Sequence, residues 1–224
     1  MQENREKYYP SGVSDEGAAK IFKEEWTLDY QRRLKLHEEG MESIAGYGSS
    51  LWCLTPTIEN LPKILKKYNI NIILDAPCGD FYWMKNVDLS CVEYIGVDLI
   101  NEQIERNKEM FPNIDFRVLD MVRDELPKSD LIFTRDSLIH LSYYDIFLFL
   151  KNCVNSGAKY LMSSTYADLD KNEEMGGIVG WRFINFEKPP FNFPSPLELI
   201  NENSQVNPIK CIGMWDLSDI KTLL

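Results

Sequence analysis

The chain is poor in the residues from which metal clusters and disulfide frameworks are built. Its five cysteines, Cys53, Cys78, Cys91, Cys153 and Cys211, are scattered, odd in number and without a CxxC pair, the pattern of buried or free thiols in a reducing compartment. Only two histidines are present, His37 and His140, so a zinc site has no ligand spacing to start from and no metal is expected. Basic residues are outnumbered, 24 against 35 acidic, and the net charge of −11 would repel a long polyanion, so nucleic acid is not an expected partner. No apolar run approaches the ~18 residues of a membrane-spanning helix, and the polar start "MQENREKYYPSG" carries no signal-peptide pattern. No membrane insertion is expected, and the expected location is the cytoplasm. Nothing in the sequence bears on oligomeric state.

Glycine is also scarce where it would matter most. The stretch "ILDAPCGDFYWM", residues 72 to 83, reads as a strand running into a nucleotide-binding turn. It has one glycine, Gly79, where the dinucleotide fingerprint G-x-G-x-x-G has three, and Pro77 and Phe81 stand in the outer places.

What is present suffices for one sizeable core: 44% of residues are hydrophobic and 12% aromatic. The first dozen residues read as a polar arm. From Ser14 to about Glu39 the side chains of Phe22, Trp26, Tyr30 and Leu34 recur every four positions, the stripe of a helix laid on a core and covering a pocket. "GYGSS" at 46 to 50 breaks the pattern, and a second helix is expected from about Thr57 to Tyr68. Strands are predicted at 71–75, 92–98, 114–120, 130–136 and 158–164, with helices between them: a short one after Gly79, one over 101–110, and one over 142–154 that opens with a Ser142/Asp145 capping box. Apolar strands alternating with helices predict an α/β fold, a doubly wound, mostly parallel sheet covered on both faces. Past residue 165 the alternation fails. Pro189, Pro190, Pro194 and Pro196 exclude a regular central strand or helix there, and "KCIGMWDL" reads as a closing strand. The expected organisation is one structural domain: an arm and helices over 1–69 that cover the cofactor site, and a core over 70–224 with a loop-rich insert at about 166–205 over the acceptor site.

Asp75, Asp98 and Asp120 end three successive strands and therefore share one rim of the sheet, where ligands of such folds bind. Asp98 lies 19 residues beyond Gly79, near the spacing at which an acid meets ribose hydroxyls. A diphosphate is disfavoured, because Asp75 and Asp80 flank the turn that would have to hold it. A cofactor with a cationic amine and a sulfonium suits the same charges. That cofactor is S-adenosylmethionine, its adenosine across Asp98 and Asp120 and its amino acid end at the turn.

These residues resemble the class I S-adenosylmethionine-dependent methyltransferases, with their Rossmann-like sheet, over roughly 70–165. "LDAPCGD" is similar to their first motif, "IGVDL" to the acidic end of the second strand, and "LDM" to the adenine-contacting turn. The resemblance implies cofactor contacts from Asp75, Ala76, Cys78, Gly79, Asp80, Asp98, Leu99, Asp120 and Met121. More narrowly, "LDAPCGDFYWM", "TRDSLIHLS" and "GWRFIN" look like a bacterial subgroup with LDxPCGDFxWM, RDxLxHLS and WRxxN segments, a likeness reaching to about Glu202. It implies methyl transfer to a small or glycan-linked acceptor, most simply through oxygen, in capsule or surface-polysaccharide modification, phosphoramidate acceptors included.

A hydroxyl acceptor must lose a proton, and His140, beside the expected cofactor rim, is the candidate base, the alternative being a packed, hydrogen-bonded structural histidine just before the helix cap. Asp136, four residues earlier, could orient the imidazole or hold substrate. Arg135 could reach the cofactor carboxylate, or instead form a salt bridge to a strand-end acid. Arg182 in the insert suits an anionic acceptor, with Trp181, Asn185 and Phe191 as a wall, or else these residues pin the loop to the sheet. The Trp83 indole could face acceptor or core, and His37 reads as a surface helix residue. The rival readings are an N-methyltransferase of a small metabolite, a non-catalytic S-adenosylmethionine-binding module and a NAD-dependent oxidoreductase. The last is opposed by Asp80 and the lost glycines.

Overall fold

The computed structural model describes residues 13–175, 177–202 and 208–224, so the polar arm expected over the first dozen residues lies outside them. In chain order the elements are α1 (Asp15–Glu38), α2 (Leu51–Lys67), β1 (Ile72–Asp75), β2 (Glu93–Asp98), α3 (Asn101–Met110), β3 (Asp115–Val118), β4 (Leu131–Thr134), α4 (Tyr143–Ser156), β5 (Tyr160–Tyr166), β6 (Glu198–Asn201), β7 (Lys210–Asp216) and α5 (Leu217–Lys221). Single 3-10 turns lie at Tyr47–Ser49, Met84–Asn86 and Leu138–His140.

The strands form one sheet in the order β3-β2-β1-β4-β5-β7-β6. β1 to β5 run parallel, and β7 is antiparallel to both of its neighbours. The order reverses between β1 and β4, which opens a crevice at the carboxyl ends of those strands.

Side chains alternate across the strands and divide the core in two. Leu74, Ile95, Ile132 and Leu161 point to the face covered by Ile146, Phe149, Leu150 and Cys153 of α4 and by Ile220 of α5. Their neighbours Ile73, Tyr94, Leu131, Phe133 and Met162 point to the other, covered by Leu54, Leu61, Ile64 and Leu65 of α2 and Ile104 of α3. The helical sets recur at three- and four-residue steps, which is why each helix lies flat on its face of the sheet. α4 starts at Ser142, whose hydroxyl accepts from Asp145 N at 3.1 Å, and ends at Gly157 in the left-handed conformation (φ 81°).

Three expectations are corrected. No α-helix follows Gly79: Gly79 (φ 54°) and Phe81 (φ 56°) both hold left-handed backbone, which stops helical winding, and only a 3-10 turn follows. α2 begins at Leu51 and not near Thr57, with Pro56 and Pro62 inside it. A further strand, β6, starts two residues after Pro196. It lies on the sheet edge, where nearby proline does no harm to a ladder. The irregular stretch before it is nonetheless well packed, with Ile184, Phe186, Phe191 and Phe193 buried and the rings of Phe186 and Phe193 against Trp215.

Among the described residues no helix is long and apolar enough to cross a membrane, and no cluster of histidine, cysteine and acidic residues could hold a metal ion.

Candidate functional site

A cavity of about 930 Å³ opens over the carboxyl ends of β1, β2 and β4. Its floor includes Asp75, Gly79, Asp98, Leu99, Asp120 and Met121, and its roof is the Phe22–Trp26–Tyr30 stripe of α1 together with residues 44–49.

The turn after β1 is built to manage with one glycine. Cys78 N donates to Val97 O at 2.8 Å, and Asn107 of α3 donates to Gly79 O at 2.7 Å. Phe81 stands in left-handed backbone, a conformation that costs a side-chain-bearing residue about 1–2 kcal/mol. Its ring is buried among Tyr94, Phe111 and Phe116 at centroid distances of 5.0, 5.1 and 5.4 Å, and burial of a phenylalanine contributes roughly 1.5–3 kcal/mol, which offsets that strain.

The electrostatics of the cavity are narrower than a uniformly negative rim. Arg32, Arg33, Arg123, Arg135 and Lys210 also line it, and each is paired. Arg32 and Arg33 bond Asp29, Arg123 bonds Asp120 at 3.3 Å and Asp145 at 2.9 Å, and Arg135 and Lys210 share Asp136 and Glu202. Among the described residues Asp75 and Asp98 have no salt bridge. Asp75 is buried and accepts Tyr94 OH at 2.6 Å, and burial pushes its carboxyl up to about 7. Asp98 accepts Gly79 N at 3.2 Å and Ile100 N at 3.0 Å, and burial raises it to about 6. Asp120 accepts Val122 N at 2.9 Å as well as Arg123.

Asp80 does not line the cavity. Its carboxylate accepts from Ser43 Oγ at 3.0 Å, Ile44 N at 2.7 Å and Tyr82 N at 3.3 Å, latching the α1–α2 linker to the turn. Its share in the argument against a diphosphate therefore falls away, and that of Asp75 stays. Ala76 is buried and does not face the cavity, whereas Cys78 does.

His140 lines the cavity from the 3-10 turn after β4. Asp136 does not orient it. The ring's Nδ1–H donates to Gly180 O at 2.8 Å, and because a carbonyl can only accept, Nε2 is left with the lone pair. Trp26 packs edge-on against the ring at 4.8 Å, and burial lowers the imidazole pKa, which keeps the ring neutral near pH 7. Asp136 instead bonds Lys210, Arg135 at 3.1 Å and Ser164 Oγ at 3.2 Å.

Arg135 takes the salt-bridge role, with Glu202 and Asp136 and not with Asp75, Asp98 or Asp120. Its Nε and one Nη bond the two oxygens of buried Glu202 at 2.8 and 2.9 Å, and the same Nη donates to Gly48 O at 2.8 Å. The acceptor-site expectations divide. Trp83 and Trp181 line the cavity, Trp83 buried and Trp181 61% exposed at the mouth. Arg182 and Asn185 do not. Arg182 bonds Ile139 O at 3.0 Å. Asn185 is buried and donates to Leu169 O at 2.9 Å, while its backbone N donates to Asn172 Oδ1 at 2.8 Å. Both pin the insert, as does the buried Phe191. His37, half-buried, donates to Met41 O at 2.6 Å at the end of α1.

Sequence reasoning missed Tyr166, Lys210 and Glu202. Tyr166 and Lys210 sit opposite each other on the β5–β7 ladder, a pairing that no local pattern announces. Gly48 was visible as a loop glycine, but not as a lining residue in contact with Arg135.

The sheet order, with its single antiparallel strand β7 and its acid-tipped β1 and β2, is that of the class I methyltransferase fold. Solved structures, several of them methyltransferases by name, superpose on the chain. NodS, an N-methyltransferase from Bradyrhizobium japonicum, matches with TM-score 0.54 and 13% identity over 75% of this chain and 98% of its own. The magnesium protoporphyrin IX methyltransferase ChlM from Synechocystis, solved with bound SAH, matches with TM-score 0.54 and 10% identity over 73% of this chain and 83% of its own. TehB from Haemophilus influenzae matches with TM-score 0.52 and 14% identity over 70% of this chain, and the chain spans 60% of TehB and 53% of a methyltransferase from Clostridium acetobutylicum. No family model and no curated protein matches the sequence.

Proposed function

We propose that the chain is an S-adenosylmethionine-dependent methyltransferase acting on a hydroxyl of a small or glycan-linked acceptor. One observation carries the reading: at the switch point of a methyltransferase fold, the two cavity carboxylates without a salt bridge, Asp75 and Asp98, stand at adjoining strand ends with their acidity suppressed by burial. A ligand bringing positive charge and hydroxyl donors relieves both. Asp98, Leu99, Asp120 and Met121 would hold the adenosine, and Asp75 with the Gly79 turn the methionine end. When bound, the cofactor supplies a methyl group already activated on a positively charged sulfur.

The chain's own residues do the rest. His140, neutral and fixed as the Nδ1–H tautomer, takes the acceptor hydroxyl's proton on Nε2, help worth about 10²–10⁴-fold. Phe22, Trp26, Tyr166, Trp181 and Phe183 wall the cavity near it, exclude water and offer ring faces to the acceptor. The Asp136–Lys210 pair and the Arg135–Glu202 pair fix the cavity's far wall in place. The acceptor class in surface polysaccharide follows from the subgroup resemblance. A neutral sugar hydroxyl suits these aromatic faces, and a phosphoramidate loses its intended partner because Arg182 is engaged elsewhere.

Calorimetry with S-adenosylhomocysteine and with NAD, followed by a labelled-methyl screen over sugar acceptors, tests the reading. Binding of S-adenosylhomocysteine but not NAD, with label transferred to an alcohol, is expected. Tight binding of NAD alone would replace the reading with an oxidoreductase, and cofactor binding without any transfer would leave a binding module.

A further inference from the structure

We infer that Arg182 is a positioning residue for His140: it clamps residues 180–182 against the turn bearing the imidazole, and so holds the Gly180 carbonyl where it fixes the ring's tautomer. The inference rests on the reading of His140 as the base.

His140 ends a single 3-10 turn, Leu138–His140, and the bond to Gly180 O is what sets its ring nitrogens apart. Gly180 lies on a stretch with little to hold it, since its neighbours Val179 and Trp181 are exposed. Arg182 supplies the hold. Its backbone N and one Nη both donate to Ile139 O, at 3.1 and 3.0 Å, and the same Nη reaches Leu138 O at 3.5 Å. The residues that Arg182 grips thus immediately precede His140, and the carbonyl that His140 grips precedes Arg182 by two. The two strips of backbone are laced at successive positions.

The guanidinium is itself braced from behind. Glu174 pairs with it at 3.5 Å while accepting Tyr143 N at 2.9 Å, at the start of α4, and the guanidinium carbon lies 4.7 Å from the Tyr143 ring centre. A planar head with donors in several directions can bond carbonyls, pair with a carboxylate and lie over a ring together, which a lysine ammonium cannot do. Arg182 does not line the cavity, so it acts on chemistry there only through the imidazole. Without the clamp the Gly180 carbonyl drifts and the ring relaxes toward the Nε2–H form that dominates free histidine, which puts a proton where the base needs a lone pair.

The tautomer is read directly by long-range ¹H–¹⁵N spectra of the ¹⁵N-labelled protein with S-adenosylhomocysteine at pH 8. The two histidines are told apart with His37→Gln. Wild-type His140 is expected as Nδ1–H. Arg182→Gln is expected to move it toward Nε2–H and to lower kcat tenfold or more, with S-adenosylhomocysteine affinity within about twofold of wild type and partial recovery in Arg182→Lys. An unchanged tautomer in folded Arg182→Gln overturns the inference. If that variant fails to fold by circular dichroism, Glu174→Gln carries the test under the same criterion. A shifted tautomer with undiminished methyl transfer would leave the clamp standing and remove His140 as the base, so the two readings fail separately.

Discussion

At the scale of single residues, the site turns on which groups are left uncompensated. His140→Ala should cut turnover about 10²-fold or more while S-adenosylhomocysteine affinity holds, and steady-state kinetics beside calorimetry reads both. Cofactor affinity should fall as the pH drops from 8 to 5. Asp75 (about 7) and Asp98 (about 6) take up protons across that range in the empty cavity and lose the charge that meets the ammonium and sulfonium, so a tenfold or greater loss is expected by calorimetry. Phe81→Ala should destabilise the fold by about 3–5 kcal/mol in urea, since it empties the aromatic cluster that secures the turn. The sequence announced the acids at the strand ends and the histidine beside them. It could not announce where a side chain points. Asp80, next to Gly79, turns to the α1–α2 linker, and Arg182, next to Trp181, turns to a backbone carbonyl, because those partners lie 36 and 43 positions away along the chain.

Elements were more legible than side-chain directions, for the reason that periodicity survives in the sequence whereas long-range pairing does not. The five parallel strands and α3 and α4 follow from apolar runs and three- or four-residue steps. Two departures have local causes: left-handed backbone at Gly79 and Phe81 abolishes an expected helix, and Pro56, just before the expected start at Thr57, lies inside α2. β6 went unread because a four-residue edge strand carries almost no pattern. The element with the most consequence for ligand exchange is the linker between α1 and α2. It is tied down by Asp80 to Ser43 and Ile44 and by Arg33 to Ala45 O at 2.6 Å, and it lines the cavity at the end where the cofactor is proposed to lie. Asp80→Ala removes a charged latch worth roughly 1.5–3 kcal/mol. Stopped-flow measurement should show S-adenosylhomocysteine leaving about tenfold faster or more.

For the whole molecule, the same two acids proposed to meet a cationic ligand, Asp75 and Asp98, weaken the empty protein. A carboxyl raised in the folded state binds a proton there before it does in the unfolded chain, so its burial costs stability above its ordinary value near 4 and the cost vanishes as pH falls. On their account the ligand-free melting temperature should rise between pH 7.5 and 5, while the added shift from S-adenosylhomocysteine shrinks over the same range; differential scanning calorimetry at several pH values follows both. Glu202 and Asp136, held below the usual carboxylate range by Arg135 and Lys210, act in the opposite sense only under more acid conditions.

A ribosome delivers β6 before β7, yet among the described residues β6 pairs with no other strand than β7, and Arg135 emerges 67 residues ahead of Glu202, one of the two acids that pair with it. The edge of β5 therefore stays open until β7, the last of the described strands, has been made, and until Glu202 is made Arg135 has only the neighbouring Asp136 beside it. A chain cut before Lys210 lacks β7, which leaves the edge of β5 open and gives β6 no strand to join.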